Sequence, residues 1–148
     1  MKKILLSSLL LIAVTFSVHA QKKYKIITTI ESIVPGGLGR SRIIENTQEI
    51  NAAQFTTQRA DGKDSKQGDV KRGDAKIDAL NETKILNFFS LAGINFQNIA
   101  SNDAMITSVL NTMSEQGWEL FTVVSGVESD AGKDDGNGVF ITRYVFRK

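Results

Sequence analysis

Residues 101–125 read SNDAMITSVLNTMSEQGWELFTVVS, and the fold follows from how this stretch is divided. Met105, Ile106, Val109, Leu110 and Met113 recur at helical spacing and form one apolar stripe. Ser101 or Asn102 is predicted to cap the first turn, with Asp103 suited to its positive end. Gly117 stands where a left-handed residue would close the helix. Trp118 then opens an apolar, β-branched run that is predicted as a strand. In this reading Gly117, Trp118 and Leu120 are structural. Gly117 permits the turn, Trp118 folds its ring under the helix just left, and Leu120 continues the inner face. A ligand-stacking role is the alternative for Trp118.

Working outward, YKIITTIE at 24–31 is β-branched and aromatic with no breaker, a strand by composition. VFITRYVFR at 139–147 is apolar or aromatic on both faces, as a middle strand flanked by two neighbours would be. Antiparallel partners then place 24–31 and 118–125 beside it. Arg42-Ile43-Ile44-Glu45 reads as a returning strand that extends the sheet, and 47–60 as strand or loop around Phe55. Residues 85–96, ILNFFSLAGINF, fit either a short helix closed by Gly93 or two short strands around it. The expected class is α+β: a small, mainly antiparallel sheet with one main helix packed on one face, in a single domain over 21–148.

A helix running into Glu115-Gln116-Gly117-Trp118-Glu119-Leu120, an opening YKII strand and a terminal Tyr144-Val145-Phe146-Arg147-Lys148 together resemble a family of small bacterial domains of unknown function. Its hallmark is a Glu-Gly-Trp-Glu-Leu-type turn followed by a hairpin ending in Phe-Lys-Arg. The resemblance covers 24–31 and roughly 103–148, with 35–100 as a long insertion. It implies the fold and carries no activity.

The first twenty residues have the pattern of a cleaved signal peptide: Lys2 and Lys3, an apolar run from Ile4 to Phe16, and Val18-His19-Ala20 before Gln21. The expected location is therefore exported, periplasmic or secreted, with no stable membrane anchor after cleavage. Beyond that segment, sixteen basic residues balance sixteen acidic ones, so no nucleic acid partner is expected. The single histidine is His19 and there is no cysteine. A chain from Gln21 onward thus lacks the means for Ser-His-Asp or Cys-His catalysis, His- or Cys-ligated zinc, and disulfides. No cofactor is expected.

Three places could hold a ligand. VPGGLGRSR at 34–42 holds the only proline and lacks the lysine of a phosphate-binding loop, so it reads as a corner whose Arg40 and Arg42 could grip an anion. ESDAGKDDGNG at 128–138 reads as a hairpin loop, with Asp130, Asp134 and Asp135 as candidate calcium ligands at irregular spacing. Phe88, Phe89 and Phe96 belong either to a core lid or to a patch facing another envelope protein. Residues 61–76 alternate Lys or Arg with Asp and echo Gly-Asp-Val-Lys as Gly-Asp-Ala-Lys, the composition of a mobile loop. Its Arg72-Gly73-Asp74 triplet is too short to specify a receptor. The functional expectation is an exported, non-catalytic binding or structural module of the envelope. The alternative is an enzyme that uses carboxylates and arginines on an envelope polymer.

Overall fold

The structure, a computed structural model, describes residues 22–32, 41–128 and 138–148. The leader, Arg40, Asp130, Asp134 and Asp135 lie outside the described residues. Five strands form one sheet: β1 (Tyr24–Ser32), β2 (Arg42–Asn46), β3 (Leu80–Lys84), β6 (Glu119–Glu128) and β7 (Val139–Arg147). Their order is β3-β2-β1-β7-β6, and every neighbouring pair is antiparallel. β7 lies between β1 and β6, as its two-sided apolar sequence requires, so β1 and β6 run parallel and connect through a long helix. The class is α+β, with one main helix on a mainly antiparallel sheet.

The helix, α1, spans Phe96–Glu115. It begins earlier than its apolar stripe suggests. Asn95 is the N-cap, its side chain accepting a hydrogen bond from the Asn98 backbone N–H, and not Ser101 or Asn102. The reason is that Asn102 is turned into the protein at 0% exposure. The other end is as the sequence implies. Gly117 has φ +79°, its N–H donates to the Ser114 carbonyl at 2.8 Å, and the Trp118 N–H donates to the Met113 carbonyl at 2.9 Å. This paired pattern closes a helix through a left-handed residue, and Trp118 joins the cluster around Met113, completing the apolar contact that goes with it. Lys148 adds a third restraint by donating its Nζ to the Gln116 carbonyl at 2.8 Å.

Residues directly opposite in antiparallel strands share a face. Ile27 on β1, Ile43 on β2 and Phe146 on β7 therefore point together toward α1, and with Ile85 and Met113 they form the buried core. Met105, Ile106, Val109 and Leu110 of the helical stripe pack against it. The helix packs over the centre of the sheet, and all ten residues of β6 remain exposed. Leu120 lies opposite Phe146 on the inner face, as the alternation predicts, yet is 43% exposed because β6 is an edge strand. The opposite sheet face carries no helix among the described residues.

β2 and β3 are the two arms of a hairpin whose excursion runs over 47–79. Its root is tied by Thr47 donating to the Ala79 carbonyl and Gln48 accepting from the Asp78 N–H. Two short 3-10 turns, Ala52–Phe55 and Gln67–Asp69, are its regular structure, and 61–76 is exposed apart from half-buried Val70. Arg72-Gly73-Asp74 lies in a turn there. β6 continues to Glu128, three residues past the expected strand end at 125.

Candidate functional site

The segment between β3 and α1 settles as strands around Gly93, not as a helix. β4 (Phe89–Ser90) and β5 (Gly93–Ile94) pair antiparallel, with Leu91 and Ala92 at the turn. Gly93 has φ +111°, a conformation that costs a side-chain-bearing residue. The Ser90 hydroxyl accepts from the Ala92 N–H, and the Asn95 N–H donates to the Phe88 carbonyl at 2.8 Å, so the hairpin is closed at both ends. From Ile85 through Asn102 there is no charged residue.

This hairpin stands on a buried polar footing. Asn102 accepts from the Leu86 N–H at 2.7 Å and donates to the Leu86 carbonyl at 2.7 Å, filling both groups of that residue as a paired strand would. Its remaining amide hydrogen reaches Glu31 Oε1 at 3.1 Å. One turn earlier, Asn98 donates to the Asn87 carbonyl, and Asn87 Oδ1 accepts from the Ser41 hydroxyl at 2.6 Å. Ser41 in turn accepts from the Ser32 N–H at 2.9 Å. The footing therefore ties β1, the start of β2 and α1 to the strand leading into the hairpin. Phe88 leans on Phe140 of β7, with ring centroids 6.1 Å apart.

Above that footing the apolar side chains face outward. Leu91 at the turn is 92% exposed and Phe96, the first helical residue, 77%, with Ile94 between them also exposed. Phe88 and Phe89, singled out in the sequence, are half-buried and form the root of this knuckle. Phe96 is no part of a core lid. Leu91 and Ile94 escaped the sequence reading, although the long uncharged run around them was a signal for such a patch.

The other named residues are placed as follows. Arg42 projects on the outer sheet face and its guanidinium pairs with Glu82 of β3 at 2.6 Å. Glu119 and Arg147 form a two-pronged ion pair, both contacts at 2.9 Å, with the Arg147 guanidinium 4.9 Å from the Phe121 ring centroid. That pair holds the Glu119 carboxyl below its usual range. Lys22, Lys148, Arg147, Glu119 and Gly117 line an open groove of about 380 Å³. The cations in it at Arg147 and Lys148 are already engaged by Glu119 and by the helix end. Between helix and sheet, the crevice lined by Ile27, Ile43, Ile106 and Tyr144 is too narrow for a water molecule.

Two groups on the inner face titrate abnormally. Burial pushes the Glu31 carboxyl up, with Asp103 adding to the rise and the Asn102 hydrogen bond opposing it. Burial likewise raises Tyr144, reinforced by the negative field of Glu31 and Asp103. Among the described residues, no group of three or more His, Cys, Asp or Glu side chains is placed to hold a metal ion. Among them, too, no helix is long and apolar enough to cross a membrane.

Comparison with protein-family models, with curated proteins and with solved structures finds no match to this chain.

Proposed function

We propose that the protein is an exported, non-catalytic binding module of the cell envelope, and that the 88–96 knuckle is the surface through which it grips another protein. The observation that carries this reading is the exposure of Leu91 and Phe96 on a hairpin whose root is fixed by partly buried hydrogen bonds. Exposed leucine and phenylalanine cost solvation, and a pre-formed hairpin loses little entropy when it docks. With no charge over 85–102, the patch suits an apolar acceptor surface. A catalytic reading has less support. Glu31, an acid whose carboxyl burial pushes up, accepts a hydrogen bond from the Asn102 amide at 3.1 Å and so is engaged by the helix.

The test is affinity capture of the protein from its own envelope after mild crosslinking, comparing the wild-type chain with a Leu91→Asp/Phe96→Asp double variant. One stoichiometric partner that the double variant loses, with an unchanged melting midpoint, is the expected result. A partner retained by the variant, or none captured by the wild type, would overturn the reading.

A further inference from the structure

The two edges of the sheet are unlike. β3, LNETK, carries Glu82 and Lys84, and its outer face is occupied by the Arg42–Glu82 pair. Charges of this kind keep other strands from adding to an edge. β6, ELFTVVSGVE, has its only charges at its two ends, and Glu119 is neutralised there by Arg147. Leu120, Phe121, Val123, Val124 and Val127 are all substantially exposed, on both faces. Among the described residues nothing pairs with the outer edge of this ten-residue strand.

We propose that a second copy of this chain occupies that edge, the two β6 strands pairing antiparallel about a two-fold axis perpendicular to the sheet. Such an axis keeps inner faces together, so opposite residues must match in face. Pairing with β7 places Val123, Ser125 and Val127 on the inner face, and Thr122, Val124, Gly126 and Glu128 on the outer one. The register shift around Phe121 breaks this alternation, which leaves Thr122–Glu128 as the regular segment. The longest register that uses all of it sets Ser125 against Ser125 on the axis. It then brings Val123 against Val127, Val124 against Gly126 and Thr122 against Glu128. Apolar meets apolar, and no acid faces an acid.

Charge supplies the complement. Glu128 of each copy comes level with Thr122 of the other, on the outer face that bears Arg143 of β7. Two strand spacings, ~10 Å, separate them laterally, a gap that glutamate and arginine side chains span together. The pairing is closed, because the two-fold uses both β6 edges and leaves the charged β3 edges as the outer edges of the described five-stranded sheet. It engages a surface separate from the 88–96 knuckle.

Sedimentation equilibrium of the full chain is expected to show a concentration-dependent dimer. Because the sequence has no cysteine, Ser125→Cys supplies a single reporter at the axis and is expected to form a disulfide-linked dimer under mild oxidation. Equal mixtures of Thr122→Cys and Glu128→Cys chains give the same reading should the first variant fold poorly, with the linked product joining one of each. Val127→Lys, exposed in the monomer, should weaken the dimer about tenfold while leaving its circular dichroism unchanged. A wild-type monomer throughout the concentration range would overturn the proposal. So would a dimer that neither cysteine design links, or Ser125→Cys linking to a different protein in place of itself.

Discussion

Replacing Asn102 by alanine should be among the most damaging single changes available in this protein. The side chain is 0% exposed and makes three hydrogen bonds, two at 2.7 Å to the backbone of Leu86 and one at 3.1 Å to Glu31. Truncation strands the Leu86 N–H and carbonyl beside a void that alanine does not fill. Each orphaned group costs roughly 1–3 kcal/mol, so a loss of about 3–5 kcal/mol is expected. A domain of this size has about 5–15 kcal/mol in total. In urea, with a slope of roughly 2 kcal/mol per molar, the midpoint should fall by about 2 M. Asn102→Asp separates the roles of shape and donor. It keeps the volume but removes the hydrogens given to Leu86 and Glu31 and sets a second carboxylate against Glu31. At neutral pH it should therefore be the worse variant, and its deficit should shrink as pH falls and the pair takes up a proton. An Asn102→Ala cost below about 1 kcal/mol would refute the reasoning, as would an Asn102→Asp deficit that does not change with pH.

Other outcomes follow from the same geometry. Glu31 titrates above the ordinary carboxylate value in the folded state, so the folded protein binds its proton more tightly than the unfolded chain does. Its contribution is present below the unfolded pKa and is lost as pH rises through the folded one, and Glu31→Gln should flatten that part of a stability-against-pH curve. Glu119 is the opposite case, its folded pKa lowered by Arg147, so its contribution is lost as pH falls through that value and weakens with added salt. Gly117→Ala forces a side chain into φ +79° with Lys148 Nζ 3.4 Å from the new carbon, and thermal melting should report about 1–2 kcal/mol of destabilisation. Leu91→Asp should change stability by less than ~0.5 kcal/mol, since that side chain is almost wholly in water.

The parts of this fold that can be read in the sequence are those where one physical requirement dominates. The stripe from Met105 to Met113 has helical spacing because it must face a core, and Gly117 is glycine because the backbone there is left-handed. β7 was recognisable as central because it has neighbours on both sides. β3 was not: all five of its residues are exposed, and Leu80, Asn81, Glu82, Thr83 and Lys84 show no alternation to betray a strand. The first turns of α1 were hidden for a related reason, since Phe96 points to solvent and Asn102 looks like a cap while serving as an internal brace. At the knuckle, the cluster of phenylalanines marked the place. Which apolar side chains face out depends on a hairpin too short for periodicity to declare.

The pairing of β1 with β7 also sets a timetable. All nine residues of β1 find their partners more than a hundred residues further along the chain, from Tyr24 with Arg147 to Ser32 with Val139. At a synthesis rate of ~5–20 residues per second, the first strand waits roughly 5–25 s before the strand that completes the centre of the sheet exists. During that interval β1 and β2 have each other, but the far edge of β1 lacks the strand that pairs with it. Such a topology postpones completion of the sheet until nearly the whole of the chain between the two strands has been made.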